Sequence, residues 1–323
     1  MARQEFGFID WQPREKTREL IEMVLAILEE YKSELPLTLR QIFYRAVAKY
    51  LLEKTDKAYN RLGEHCATAR RAGLLPFEAI RDDTGVVSNP FDFKDPSDFW
   101  TYVGSLADDY VRERFAGQAR QLIVMPEAAG MVPQLERVCI PLGVPVRSGG
   151  GYDSVSFKYN LARVIDASDR PVTVLHLGDF DPSGENMFDN LRQDVGTFVV
   201  QVRAGIDPSD GDDGVTIAEL TRVAMEKEKP WVEFVRLAVT PAQIRQFNLP
   251  TAPAKKTDTR TKAFEQKHGD NGTVQLEALP PDEVAAIVRA AIVTRTDADV
   301  FNDNLALERQ ERAEIRRAVN GLL

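Results

Sequence analysis
The chain has 323 residues, 43% of them hydrophobic and 28% charged, with a formal net charge of −9. That balance suits a globular protein of two domains, and no apolar run approaches the roughly 18–20 residues of a membrane-spanning helix. Two distant cysteines, Cys66 and Cys139, and three scattered histidines exclude a thiol or imidazole zinc motif. A reducing cytoplasm is therefore the expected compartment, and the first residues lack the basic and apolar regions of a signal peptide. The acidic balance argues against a protein that coats nucleic acid, but it leaves local basic faces free to meet a DNA backbone.

Residues 13–34 place Leu20, Ile21, Val24, Leu25 and Leu28 at helical spacing. After Leu35-Pro36, Thr38 is the expected N-cap of a second helix over 39–52, with Ile42, Phe43, Ala46 and Val47 facing the core. Arg40 and Tyr44 are four apart, so they share a face beside that stripe. A third helix is predicted over 59–72, offering Arg61, Arg70 and Arg71 to solvent, and residues 74–85 read as a strand and loop. Three short helices followed by a β-wing match a winged helix-turn-helix, whose third helix enters the major groove. A small helical domain with a solvated basic face fits the same residues. Residues 86–97 are turn-rich and read as a linker, which sets the expected domains at 1–97 and 98–323.

Beyond it an amphipathic helix is predicted over 98–118, and strand and helix then alternate. The predicted strands are 121–125, 144–147, 172–177 and 197–202; helices are predicted over 131–142, from Asp153 to 165, and over 184–193. Such alternation means a parallel sheet with crossover helices. The run from Val172 to Leu177 stops at Gly178, followed by Asp179 and Asp181. In extended backbone, residues two apart point the same way, so the two carboxylates can aim at one point. Hard oxygen ligands at a strand end suit Mg²⁺; an acidic turn with Ser183 as N-cap is the local alternative. Ligands gather at the carboxyl ends of parallel strands, and Glu127 ends the 121–125 strand. The Gly149–Gly151 triplet lies at the same expected edge and would admit a phosphate backbone.

Further along, a helix is predicted over 216–227 and a strand over 231–239. Residues 250–262 form a polar loop whose Lys255, Lys256, Arg260 and Lys262 suit either a DNA backbone or solvent. Two helical segments, 282–294 and 303–320, close the chain. It has no Gly-x-x-x-x-Gly-Lys-Ser/Thr phosphate loop.

An acid after one strand, followed by a strand ending in Asp-x-Asp, resembles the Toprim pattern of topoisomerases, primases and some nucleases. The order Arg40-Gln-Ile-Phe-Tyr44, Glu127, then Gly178-Asp179-Phe-Asp181-Pro-Ser-Gly resembles the A subunit of topoisomerase VI and the related proteins that make meiotic double-strand breaks. The resemblance spans about residues 37–290, and Leu276-Glu277-Ala-Leu is similar to a late segment of that family. It implies an α/β fold with an N-terminal winged helix-turn-helix domain, followed by a Toprim-like parallel sheet with flanking helices. It also implies that Tyr44 attacks DNA and becomes linked to a 5′ end, that Arg40 stabilises phosphate charge, and that Glu127, Asp179 and Asp181 hold Mg²⁺. DNA is the implied partner, with a homodimer whose tyrosine and acids meet across the interface. A separate ATPase or accessory subunit would be needed for topoisomerase action. The chain departs from the family at Ala128, where lysine is usual, at Pro126, and at Phe180, where the usual Asp-Pro-Asp has proline. These departures leave two rivals open. One is a Toprim-type nuclease using metal-activated water, as in mobile-element or defence proteins, with no nucleophilic role for Tyr44. The other is a non-catalytic DNA-binding protein.

Overall fold
A computed structural model describes residues 9–49, 51–81, 90–149, 155–206, 217–227, 230–254, 258–269 and 272–321. The fold is mixed α/β, with small parallel sheets among many helices. The N-terminal helix α1 (Glu15–Glu30) buries Ile21, Val24, Ile27 and Leu28, the three- and four-residue spacing of one helical face. A short strand β1 (Leu37–Thr38) leads into α2 (Leu39–Ala48). Thr38 caps α2 through a reciprocal box: its hydroxyl accepts from the Gln41 backbone, and the Gln41 side chain accepts from the Thr38 backbone. Helix α3 (Asp56–Arg71) follows, capped by Thr55. Where sequence predicts a wing, the described part is a 3-10 turn at Phe77–Ala79 and the two-residue strand β2 (Ile80–Arg81). β2 pairs in parallel with β1.

Helix α4 (Pro96–Asp109) is shorter than the predicted 98–118 helix. Its continuation is captured by the last helix, because the Arg112 backbone N–H donates to Glu308 Oε2 at 3.1 Å instead of to a carbonyl four residues back. Strand β3 (Gln121–Pro126), α5 (Val132–Cys139), α6 (Val155–Asp166), β4 (Val172–Leu177) and α7 (Pro182–Arg203) come next. After them come α8 (Ile217–Lys227), β5 (Val232–Ala238), α9 (Pro241–Gln246), α10 (Thr261–His268), α11 (Pro281–Val293) and α12 (Ala298–Asn320). The segment predicted as strand 197–202 belongs to α7. β-branched residues favour strands, but Leu191, Val195 and Val199 recur every four residues and bury one helical face, which decides the matter. The predicted 144–147 strand is reduced to a single parallel bridge between Val124 and Val146. Residues 150–154, with two of the three glycines and Asp153, lie outside the described residues.

β3, β4 and β5 form a parallel sheet in that order, with Gln121 opposite Val172 and Val172 opposite Val232. The central strand is buried on both faces and accordingly reads as a nearly unbroken apolar run. Alternate side chains enter different layers. Ile123, Met125, Val172 and Val174 pack with Leu161 and Ile165 of α6 and Leu191, Val195 and Val199 of α7. Leu122, Val124, Leu175 and Leu177 join a second cluster that includes Leu135 of α5 and Val284 and Val288 of α11, and that continues into α1, α2 and α3. The helical N-terminal unit and one face of the sheet thus share a hydrophobic core. The α12 helix is clamped to the chain by Glu308, which accepts from Arg114 at 3.0 and 3.1 Å. Among the described residues, no helix is long and apolar enough to cross a membrane.

Candidate active site
The carboxyl ends of β3 and β4 place Glu127 and Asp179 side by side. Pairing of the two strands ends at Pro126 and Leu177, and the Glu127 N–H donates to the Leu177 carbonyl at 2.7 Å. The Asp179 N–H donates to Glu127 Oε2 at 3.2 Å, so the glutamate carboxylate is tied to the acidic loop itself. Glycine is required at the bend: a Cβ on Gly178 would lie 2.6 Å from Glu127 Oε2 and 2.7 Å from His176 Cε1. A Cβ on Gly184 would run into the Asp179 carbonyl oxygen.

Asp181, not Ser183, caps α7, accepting from the Gly184 N–H at 2.6 Å. This leaves one Asp181 oxygen uncommitted by that bond, at the N-terminal end of a 22-residue helix where the backbone dipole favours negative charge. Phe180 points into the core. It packs against Phe264 and His268 with ring centroids 4.9 and 4.8 Å away, and its backbone bridges Val274.

Arg236 of β5 secures the loop from below. Its guanidinium donates to the carbonyls of Gly184 at 3.2 Å, Gly178 at 3.4 Å and Asp179. Burial pushes its pKa down, and Glu185, Glu127, Asp179 and Asp181 oppose that shift. His176 sits in register with Arg236 across the sheet and is 3% exposed; burial, with Arg236 adding to it, pushes its pKa down to about 3. The ring is therefore neutral, and its buried Nδ1 has no hydrogen-bond partner among the described residues.

The structure brings the α2 pair to this same place within one chain. Tyr44 is buried, its hydroxyl donating to Gln275 Oε1. Burial pushes the phenol up to about 12 against the pull of Arg40. Arg40 is half-exposed and lies 3.7 Å from Glu277 Oε1. The next residue after Gln275, Leu276, donates its N–H to Asp179 Oδ1 at 2.8 Å. Lys54 reaches over the Tyr44 ring at 5.5 Å and donates to the Pro250 carbonyl at 2.9 Å. Burial pushes the Asp179 carboxyl up to about 7, and Glu277 and Glu127 push in the same direction while the Leu276 N–H pulls it down. Burial likewise raises Glu127, with Asp181 and Glu277 adding to it.

The donor set suits Mg²⁺ in kind. It consists of hard carboxylate oxygens whose mutual repulsion a cation would relieve, around a glycine notch that a side chain would fill. Among the described residues, no three His, Cys, Asp or Glu side chains converge closely enough to hold a metal ion as they stand. Glu127, Asp179 and Asp181 are each engaged by a backbone N–H, and seating a cation requires their remaining oxygens to turn inward.

The remaining basic residues divide. Arg61 and Arg71 are exposed on α3. Arg70 is occupied, donating to the Phe77 carbonyl at 2.9 Å and stacking on the Phe77 ring. Arg260 is held in a fork by Asp258 at 2.8 and 3.0 Å and also donates to Asn186 at 3.3 Å, near the start of α7. Lys255 and Lys256 lie outside the described residues. Sequence reasoning passed over Gln275, Arg236, His176 and Lys54, and it noted Glu277 only as part of a family-like segment. Arg236 and His176 carried a signal, as polar residues inside mostly apolar strands. Gln275 and Lys54 carried none, since both enter the site through contacts spanning about 200 residues or more. No family model matches the chain, and no curated protein matches it.

Proposed function
We propose that this chain cleaves DNA strands by Mg²⁺-dependent chemistry at the Glu127–Asp179–Asp181 loop. The observation that carries the reading is the meeting of Arg40 and Tyr44 with Asp179 and Glu277, which supplies a phosphate-binding cation, a phenol and a set of carboxylates in one place. A Toprim-like sheet and a winged-helix unit carrying α2 are part of this proposal. Glu127, Asp179 and Asp181 would hold the metal, which when bound neutralises charge on the scissile phosphate. Arg40 engages a phosphate oxygen by charge-assisted hydrogen bonds. Tyr44 attacks phosphorus; its oxygen forms the new ester, the bond from phosphorus to the 3′ oxygen breaks, and that oxygen takes up a proton. A double-strand break then needs two chains, each with one such tyrosine.

One observation favours a second reading, hydrolysis by water. The Tyr44 hydroxyl is buried, bonded to Gln275 and hard to ionise, so attack requires that it first be released. Incubating the protein with supercoiled plasmid and Mg²⁺, with and without protease digestion, separates the readings. Protein-bound 5′ ends that vanish with Tyr44→Phe support transesterification. Protein-free ends that persist in Tyr44→Phe establish hydrolysis. Cutting that survives Asp179→Ala combined with Asp181→Ala sinks both.

A further inference from the structure
Lys54 reaches the site from the bend between α2 and α3. Its Nζ donates to the Pro250 carbonyl at 2.9 Å and stands 5.5 Å from the centroid of the Tyr44 ring. Among the described residues it forms no ion pair. A half-buried ammonium served by one neutral carbonyl and a ring face is incompletely solvated, and an anion beside it would make up the difference. Burial pushes its pKa down, and the nearby Asp179 opposes that shift. Lys54 also borders a cleft of about 610 Å³, which lies between the end of α2, at Val47 and Ala48, and the segment from Asn248 to Thr251. That volume is in the range of clefts that hold small organic ligands. Among the described residues that line it, the one acid is the exposed Glu53.

We propose that Lys54 contacts the DNA backbone, its ammonium taking a phosphate next to the one that Arg40 takes at Tyr44. The inference deepens the reading of DNA as substrate and rests on it, but it needs no metal ion. Arg40 and Lys54 come to Tyr44 from different elements. Arg40 stands one turn before it on α2 and is held loosely, 3.7 Å from Glu277. Arg236, beneath the acidic loop, is committed to three backbone carbonyls. Arg40 and Lys54 are therefore left to offset the Asp179 and Glu277 carboxylates when a phosphate approaches. A lysine suits the task, because a flexible stem and three donors let it keep the Pro250 bond while another N–H turns to a phosphate oxygen. The strand then passes from Tyr44 into the cleft that Lys54 borders.

The test measures binding of a short fluorescein-labelled DNA duplex by anisotropy, in EDTA, over a series of salt concentrations. The slope of log affinity against log salt counts the phosphates neutralised, about 0.9 for each contact with duplex DNA. Lys54→Gln should flatten that slope by about 1 and weaken binding about five- to tenfold at roughly 0.1 M salt. Lys54→Arg keeps the charge and should recover the slope. Lys54→Met keeps the stem and should behave as Lys54→Gln does, so it carries the test if melting curves show that Lys54→Gln is not folded. An unchanged slope in the folded variant, even with weaker binding, overturns the contact. Lys54 is then a strut from the α2–α3 bend to Pro250, and the reading of DNA as substrate stands. Wild-type binding that appears only when Mg²⁺ is added overturns a contact made without metal. Wild-type protein that binds no duplex in either condition overturns the DNA reading, and the Lys54 contact with it.

Discussion
Tyr44 and Gln275, 231 residues apart in sequence, are joined by a hydrogen bond from the phenol to the amide oxygen. The bond fastens α2 to the segment that also holds Asp179, and it decides how the phenol behaves. A buried tyrosine beside carboxylates resists ionisation, and one whose proton is already given to an amide is not poised to lose it elsewhere. Tyr44→Phe removes the donor and leaves the Gln275 oxygen short of a partner. The expected cost is about 1–2 kcal/mol of stability, measured by urea unfolding, whichever attack mechanism operates. A variant as stable as wild type would mean that this hydrogen bond is absent in solution.

Asp179 gives the metal-free protein a defined pH dependence. Its folded-state pKa, about 7, lies above the ordinary carboxyl value, so the folded state binds the proton more tightly than the unfolded chain does. Stability from this group is fully present below about pH 4 and is lost as pH rises to about 7. Allowing for screening at a half-buried carboxylate, the loss is about 1–3 kcal/mol. Thermal melts of the metal-free protein should therefore show Asp179→Asn gaining on wild type across that window. Equal slopes for the two proteins would show that Asp179 is not pushed up by its neighbours.

Gly178→Ala should disturb the loop directly, because the added methyl would strike both the Glu127 carboxylate and the His176 ring. Overpacking of this kind costs about 1–3 kcal/mol. It should also lower Mg²⁺ affinity, since Glu127 must turn away. Gly196→Ala on α7 is the control: a Cβ there meets nothing within 4 Å, so it should be neutral or slightly stabilising, and should bind Mg²⁺ as wild type does. Melting temperature and calorimetry on the pair check the contrast.

Arg236→Met preserves much of the side-chain volume and removes the cation. The carbonyls of Gly178, Asp179 and Gly184 lose their shared donor, and the carboxylates lose the positive charge beneath them. A destabilisation of about 2–3 kcal/mol is expected from the buried, charge-assisted bonds. Arg236→Lys should recover only part of it, because one ammonium cannot present the planar fork that reaches three carbonyls. Full recovery by lysine would show that charge alone, without geometry, holds the loop.

Local pattern alone determined much of the architecture. The three- and four-residue spacing in α1, Thr38 as the cap of α2, and the apolar run of β4 are each written within a few neighbouring residues, and each forms where the sequence indicates. Alternation of strand and helix likewise implied a parallel sheet, and the spacing of Asp179 from Asp181 flagged the end of its central strand. Tertiary structure decided the rest, because it turned on partners distant in the chain. The 197–202 segment is helical because its valines pack on the sheet, overriding their strand preference. Residues after Asp109 leave the helix because Glu308 captures a backbone N–H. Asp181 serves as the α7 cap as well as facing the site. The closeness of Tyr44 to Asp179 rests on Gln275 and Leu276, adjacent residues that carry one contact to each. Short-range spacing is fixed by backbone geometry and can be read directly; which distant side chains meet depends on how the elements pack.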